Sequence, residues 1–147
     1  MYKLAILGCE NSHANSFLNH VKETKYKDFV EFVGVYSDEI DAANKLAEEF
    51  GVYVAKDYDE FVGKVDAVVI TARHGDNHYK YAKPYLKTGI PMFIDKPITI
   101  SETEANEFLK VLKERNIRVS GGSVCYNCKL CRGISVWCKF KGIQSKR

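Results

Sequence analysis

The residues best suited to chemistry follow directly after short apolar runs. One such stretch is Asp95-Lys96-Pro97, which follows the run at residues 91–94. A carboxylate beside a lysine can hold the ammonium group and prepare it for proton transfer. The following proline favours an extended backbone at Lys96 and so directs its side chain. On spacing alone, a surface ion pair before a turn is the favoured interpretation of this stretch.

A second polar stretch follows the apolar run at residues 67–70. It combines a threonine, an arginine and two histidines: Thr71, Arg73, His74 and His78. So many polar side chains at the end of a buried strand indicate a functional loop. The alternative is a solvated loop in which Asp76 or Asn77 caps the next helix.

A third stretch could hold a phosphate group. Gly8 follows the first apolar run, and Asn11 and Ser12 are good caps for a helix, whose N-terminus suits an anion. The dinucleotide fingerprint G-x-G-x-x-G places its second and third glycines where this chain has Glu10 and His13. Glu10 puts a carboxylate where the backbone should approach a phosphate closely. A plain strand-to-helix turn is the alternative.

A fourth stretch, Ser37-Asp38, follows the predicted strand at residues 31–36. In dinucleotide-binding folds an acid near this point binds the adenosine ribose 2′-hydroxyl of NAD. Ser37 takes that position, and a small neutral residue permits the 2′-phosphate of NADP. Asp38, one residue later, is either an acid of that kind or the cap of the next helix.

The segments that must position these residues alternate between strand and helix patterns. Strands are predicted at residues 2–7, 31–36, 52–55, 66–71, 91–94 and 117–120. Helices are predicted from Asn11-Ser12, over residues 40–50, over residues 76–87 and from Ser101, and Pro84 should kink or shorten the third. The pattern predicts an α/β fold with a doubly wound parallel sheet, whose ligands bind beyond the carboxyl ends of the strands.

Charge is distributed unevenly along the 147 residues. The net charge is +3, but residues 126–147 hold six basic residues and no acid, so the preceding body is mildly acidic. Such a body offers no broad basic surface for nucleic acid. Apolar runs are far shorter than the roughly 20 residues of a membrane span, and the N-terminus enters a strand pattern without a signal-peptide core. These features favour a soluble, cytoplasmic protein with no nucleic-acid or membrane partner.

Taken together, the motifs resemble the N-terminal domain of the glucose–fructose oxidoreductase/inositol dehydrogenase (Gfo/Idh/MocA) family. Ile94-Asp95-Lys96-Pro97 is similar to its E-K-P motif, with Asp for Glu. The run from Asp66 to Thr71, followed by His78, is similar to its D-A-V-x-I-A-T-P-x-x-x-H segment, and residues 32–51 are similar to its second strand and helix. The resemblance extends over about residues 2–125.

The resemblance implies a Rossmann fold that binds NAD or NADP and serves hydride transfer to or from a sugar, polyol or related hydroxyl compound. It implies that Lys96 contacts nicotinamide or substrate and assists catalysis, that Asp95 and Pro97 position it, and that His78 lies near the cofactor. The cofactor-binding residues we predict are Gly8, Glu10, Asn11, Ser12, His13, Ser37, Asp38, Thr71, Arg73, His78, Asp95, Lys96 and Pro97. A non-catalytic nucleotide-binding or interaction module is the alternative.

The end of the chain departs from the family pattern. We predict a Rossmann domain at residues 1–124 and an atypical tail at residues 125–147, with the family's second, substrate-binding domain missing. The tail cysteines, Cys125, Cys128, Cys131 and Cys138, could ligate a metal, but their spacing fits neither a usual zinc site nor an iron–sulfur run. We therefore predict no metal and interpret the tail as a truncated or frame-shifted reading. Substrate would then bind only with a second domain supplied, and homo-oligomers are one expected outcome of the exposed surface.

Overall fold

A parallel sheet forms the centre of the protein in the computed structural model, which describes residues 1–121. The predicted tail and its four cysteines lie outside the described residues. The strands of the described part are β1 (Tyr2–Leu7), β2 (Val30–Tyr36), β3 (Tyr53–Val54), β4 (Ala67–Ile70), β5 (Met92–Ile94) and β6 (Val119–Ser120). Their order across the sheet is β3-β2-β1-β4-β5-β6, and every neighbouring pair is parallel. The doubly wound fold is confirmed.

Four α-helices cover the two faces of this sheet: α1 (Ser12–Glu23), α2 (Ile40–Phe50), α3 (Gly75–Ala82) and α4 (Glu102–Arg115). Short 3-10 helices at Lys25–Asp28 and Lys83–Lys87 follow α1 and α3. The second of these confirms the prediction for Pro84, because α3 ends at Ala82 and the chain continues as a tighter helix around the proline. None of the described helices has the length and apolar character needed to cross a membrane.

The central strands are buried on both sides, as parallel strands usually are. Alternate residues of β1 and β4 face opposite cores. One core also contains Tyr81, Tyr85 and Phe108 from the α3 and α4 side, and its strand residues include Ala5, Leu7, Val68 and Ile70. The other is formed with α1 and α2, and its members include Ile6, Val69, Ala14, Leu18, Ala43 and Leu46. Because these strands are packed on both faces, the sheet fixes where the loop after each strand begins and the direction in which it leaves the sheet.

Two predicted helix caps differ from what the structure shows. Asp38 does not cap α2: the helix begins after Glu39, whose side chain makes no capping bond, while the Glu39 amide donates to Ser37 Oγ at 3.2 Å. Asp76 and Asn77 do not cap α3 either, because the cap position is His74 and both residues lie within the first turn. The cap positions of α2 and α3 are therefore Glu39 and His74 instead of the predicted residues.

Candidate functional site

The carboxyl ends of β1, β4 and β5 deliver their loops to one edge of the sheet. Sequence order along the sheet changes direction between β1 and β4, which makes their ends the switch point of the fold. Backbone bonds continue just past the strands: Thr71 N donates to Leu7 O, and Asp95 N donates to Ile70 O, each at 2.9 Å. The predicted polar stretches after these strands are therefore neighbours in space.

Gly8 makes the sharp turn that follows β1. Its φ is +92°, and a Cβ placed on it would lie 2.3 Å from the backbone N of Ala72. Thr71 fixes the same approach from the side, because its Oγ1 donates to Gly8 O at 2.6 Å. The turn after β1 and the turn after β4 thus touch through backbone.

Asn11 starts α1 and ties it to the neighbouring loop. Its Oδ1 accepts a hydrogen bond from the His13 amide at 2.8 Å, and its amide group donates to Thr71 O. Ser12 is the exposed first residue of α1, and its carbonyl accepts from Ser16 Oγ at 2.9 Å. The first turn of α1 contains no acidic residue. The His13 amide is occupied by Asn11, and the positive end of the helix dipole still favours an anion here.

Glu10 joins three loops with one carboxylate. Its Oε2 accepts from Ser37 Oγ at 2.7 Å, after β2, and its Oε1 accepts from the Arg73 amide at 2.8 Å, after β4. The Arg73 guanidinium donates to the Glu10 carbonyl and lies 3.7 Å from a carboxylate oxygen of Glu39. Glu10 is thus held firmly in place across the switch point.

The end of β2 holds a second carboxylate in a different setting. Asp38 accepts from the Tyr36 hydroxyl at 2.6 Å and lies 3.7 Å from Lys80 Nζ. Burial raises the pKa of Asp38, but the hydrogen bond from Tyr36, the influence of the Tyr81 hydroxyl and the charge of Lys80 outweigh it, so the pKa lies below its usual value. Asp38 is therefore ionised and already paired.

The loop after β5 brings Lys96 together with His13. Asp95 is buried, and its carboxylate accepts from the Lys96 amide at 2.9 Å, lies 3.4 Å from Lys96 Nζ and contacts His13 Nδ1. The lysine and histidine side chains are each about half exposed. One buried carboxylate thus holds two groups at the sheet edge that can exchange protons with a ligand.

His78 lies behind this loop and is fully buried. Its Nδ1 faces Pro97 O, and its Nε2 lies 2.7 Å from Ala72 O. The Lys96–Pro97 peptide bond is cis, and the Pro97 ring lies so close to Gly75 that a Cβ there would be 2.5 Å from it. His78 therefore joins the loop after β4 to the loop after β5, and it acts on the site by holding these two loops together.

We expect the stability of this site to depend on pH through Asp95. Burial raises the pKa of Asp95, but the Lys96 amide, His13 and the Lys96 charge outweigh it and hold the pKa below 3.8. A carboxyl group with a lowered pKa stabilises the fold above its unfolded-state pKa and loses that contribution as the pH falls through the folded value. Asp95→Asn should flatten the decrease in unfolding free energy below about pH 4, measured by urea unfolding at several pH values. If the unfolding free energy of the variant decreases at acid pH as steeply as that of the wild type, this assignment is contradicted.

Several residues at the site carry no recognisable signal in the sequence. Ala72 and Gly75 matter because they leave room for Gly8 and Pro97, and Glu39 matters because it pairs with Arg73. Cys9 is buried and donates to Tyr36 O at 3.3 Å; burial, and then the charge of Glu10, raise the pKa of its thiol to about 12. Cys9 is therefore a neutral packing residue. A small residue after a predicted strand is the only hint that could have marked Ala72.

This chain is similar in sequence and structure to known oxidoreductases. The Gfo/Idh/MocA model, described as an oxidoreductase family with an NAD-binding Rossmann fold, matches residues 2–123. UDP-N-acetylglucosamine 3-dehydrogenase of Acidithiobacillus ferrooxidans is 25% identical over 100 residues, which are 68% of this chain and 32% of that relative. A Gfo/Idh/MocA family oxidoreductase from Vibrio cholerae is 25% identical with a TM-score of 0.69, over 86% of this chain and 42% of its own.

A more distant structure shares the fold alone. Biliverdin reductase from Synechocystis, solved with biliverdin and NADP+, is 14% identical with a TM-score of 0.73 and matches 92% of this chain and 42% of its own. This chain thus spans about a third of the curated relative's length and about two fifths of each of these solved chains.

Proposed function

This chain belongs to the Gfo/Idh/MocA oxidoreductase family, and on that premise we propose that residues 1–124 are the NAD(P)-binding part of a dehydrogenase. The reaction would move a hydride between the nicotinamide ring and a carbon that bears a hydroxyl group. A sugar, polyol or related compound is the proposed substrate class, in line with the activity named for the Acidithiobacillus relative. A cytoplasmic location and homo-oligomers belong to the same proposal.

The observation that carries this proposal is the turn at Gly8. Its backbone runs against Ala72 with no space for a side chain, directly before the N-terminus of α1 and at the switch point of the sheet. A tight turn before a helix N-terminus at the switch point is where a pyrophosphate binds in dinucleotide-binding folds. Glu10 opposes an anion there, but its carboxylate accepts from Ser37 Oγ and the Arg73 amide and is thereby held toward the end of β2. The residues therefore fit a dinucleotide.

Lys96 is the proposed catalytic residue. Asp95 and His13 lie beside it at the carboxyl edge of the sheet, where the nicotinamide end of a dinucleotide would extend beyond β4 and β5. When bound, the cofactor supplies the hydride chemistry. Lys96 would contact the nicotinamide or the substrate and assist transfer of the hydroxyl proton, with Asp95 and Pro97 holding its position. Substrate would bind only where a second domain completes the pocket.

We expect saturable binding of a nicotinamide cofactor by the 147-residue chain, followed by the fluorescence of NADH and NADPH. Lys96→Ala should weaken the binding of whichever cofactor the wild type binds more tightly, about tenfold, because a charged hydrogen-bonding group is lost from the site. Lys110→Ala is the matched control, since Lys110 is exposed on α4 and its ion-pair partner among residues 1–121 is Glu114, at 4.0 Å. No binding of either cofactor up to millimolar concentration would overturn the proposal.

A non-catalytic nucleotide-binding module is the second candidate. The observation in its favour is Glu10, which replaces a fingerprint glycine and holds a carboxylate against Ser37 after β2. The same titration separates the two functions. Cofactor binding that does not respond to Lys96→Ala would support the module and contradict a catalytic position for Lys96.

A further inference from the structure

We infer that Glu10, from the loop after β1, is the residue that selects NAD over NADP. This inference rests on the proposed function, because it assigns a role within the same cofactor site. At the sequence level Ser37 stands where an acid would usually bind the adenosine ribose, and a neutral residue there would admit a 2′-phosphate. The structure places a carboxylate at that point nevertheless, because Glu10 Oε2 lies 2.7 Å from Ser37 Oγ.

The contacts of Glu10 leave it suited to a ribose. Ser37 Oγ and the Arg73 amide are neutral donors, so the negative charge of Glu10 has no close cationic partner among its two carboxylate contacts. A ribose 2′-hydroxyl can donate to a remaining lone pair of this carboxylate in a charge-assisted bond. Glu10 is therefore placed to stabilise NAD at the end of β2.

The surrounding charges disfavour a 2′-phosphate. Asp38 and Glu39 also lie at the end of β2, and they are paired with Lys80 and Arg73, each at 3.7 Å. Arg73 is the cation that could otherwise receive a phosphate, but its guanidinium also donates to the Glu10 carbonyl. Glu10 is thus the carboxylate left without a cation in this group, and a phosphate monoester carrying nearly two negative charges would be repelled by it.

Glu10→Gln tests the charge while it preserves the shape. The glutamine carbonyl can still accept from the Arg73 amide, and its amide group can donate to Ser37 Oγ, so the loops keep their contacts. We expect the wild-type chain to bind NADH at least tenfold more tightly than NADPH by nicotinamide fluorescence. In Glu10→Gln the ratio of the NADPH dissociation constant to the NADH dissociation constant should decrease about tenfold, mainly because NADPH binds more tightly.

Two further variants make the outcome specific. Glu49→Gln is the matched control, because Glu49 lies near the end of α2 and contacts Asn15 at 3.2 Å, away from the switch point. Its preference for NADH over NADPH should equal that of the wild type.

Asp38→Asn tests the other carboxylate at the end of β2. A preference for NADH that changes in Asp38→Asn but not in Glu10→Gln would overturn the inference. Equal binding of both cofactors by the wild type, or tighter NADPH, would overturn it while leaving the proposed function intact. Failure to bind either cofactor would overturn both.

Discussion

Replacing Gly8 with alanine is expected to cost more than about 4 kcal/mol of unfolding free energy, an exceptional value for one methyl group. The φ of +92° is unfavourable for any residue with a Cβ, by about 1–2 kcal/mol. The larger part comes from the clash, because the new Cβ would lie 2.3 Å from Ala72 N and 2.4 Å from Ala72 Cα. These are backbone atoms of a neighbouring loop and cannot rotate away.

Gly51→Ala is the control for this prediction. Gly51 ends α2 with a φ of +69°, and a Cβ there meets no atom within 4 Å. The control therefore carries the conformational cost without the clash and should lose about 1 kcal/mol. Urea unfolding of both variants measures the difference. Equal losses would show that the close approach of the two turns is not what Gly8 provides. NADH binding should be lost in Gly8→Ala and retained in Gly51→Ala, since only the first turn adjoins the cofactor site.

Replacing His78 with leucine is expected to cost about 2–4 kcal/mol. The two side chains have similar size, so the loss comes mainly from hydrogen bonds. Pro97 O and Ala72 O each face a ring nitrogen, and at least one of these carbonyls would lose its donor within a buried region, where an unsatisfied polar group costs about 1–3 kcal/mol. Because His78 joins the two loops, Lys96 and the Gly8 turn should also lose their relative position.

His74→Leu is the matched control in the same loop. His74 is exposed, and its side chain makes no capping bond to α3, so its replacement should change the unfolding free energy by no more than about 0.5 kcal/mol. In His78→Leu, NADH affinity should fall even under conditions where the variant is fully folded. A folded variant with wild-type affinity would show that His78 serves stability alone.

Local signals in the sequence determined the fold of the described residues. Residues 2–7 form a strand as predicted, because an apolar run that ends in glycine is suited to a strand buried on both faces. Gly51 closes α2 in the left-handed conformation, and Pro84 ends the regular part of the third helix. Each of these outcomes depends on backbone preferences of a few consecutive residues. The order of strands and helices then followed from short connections and right-handed crossovers.

Local signals also placed the predicted site residues at a common edge of the sheet, but they could not assign their hydrogen-bond partners. The stretches after β1, β4 and β5 meet because parallel strands end at a common edge. Which side chains join them depended on contacts between residues far apart in the chain, such as Glu10 with Arg73 and His13 with Asp95, separated by 63 and 82 positions. Spacing along a sequence carries no information about such pairs.

The sequence by itself therefore determined which residues could act, and the tertiary structure alone decided which of them act together. Ser37 illustrates the difference: read in sequence it is a neutral residue that admits NADP, and in the fold it holds the carboxylate of Glu10. His78, which the family resemblance predicts near the cofactor, is in the fold also a buried link between two loops. The physical reason is that hydrogen bonding and charge act through space over a few ångströms, and only the packed sheet sets those distances.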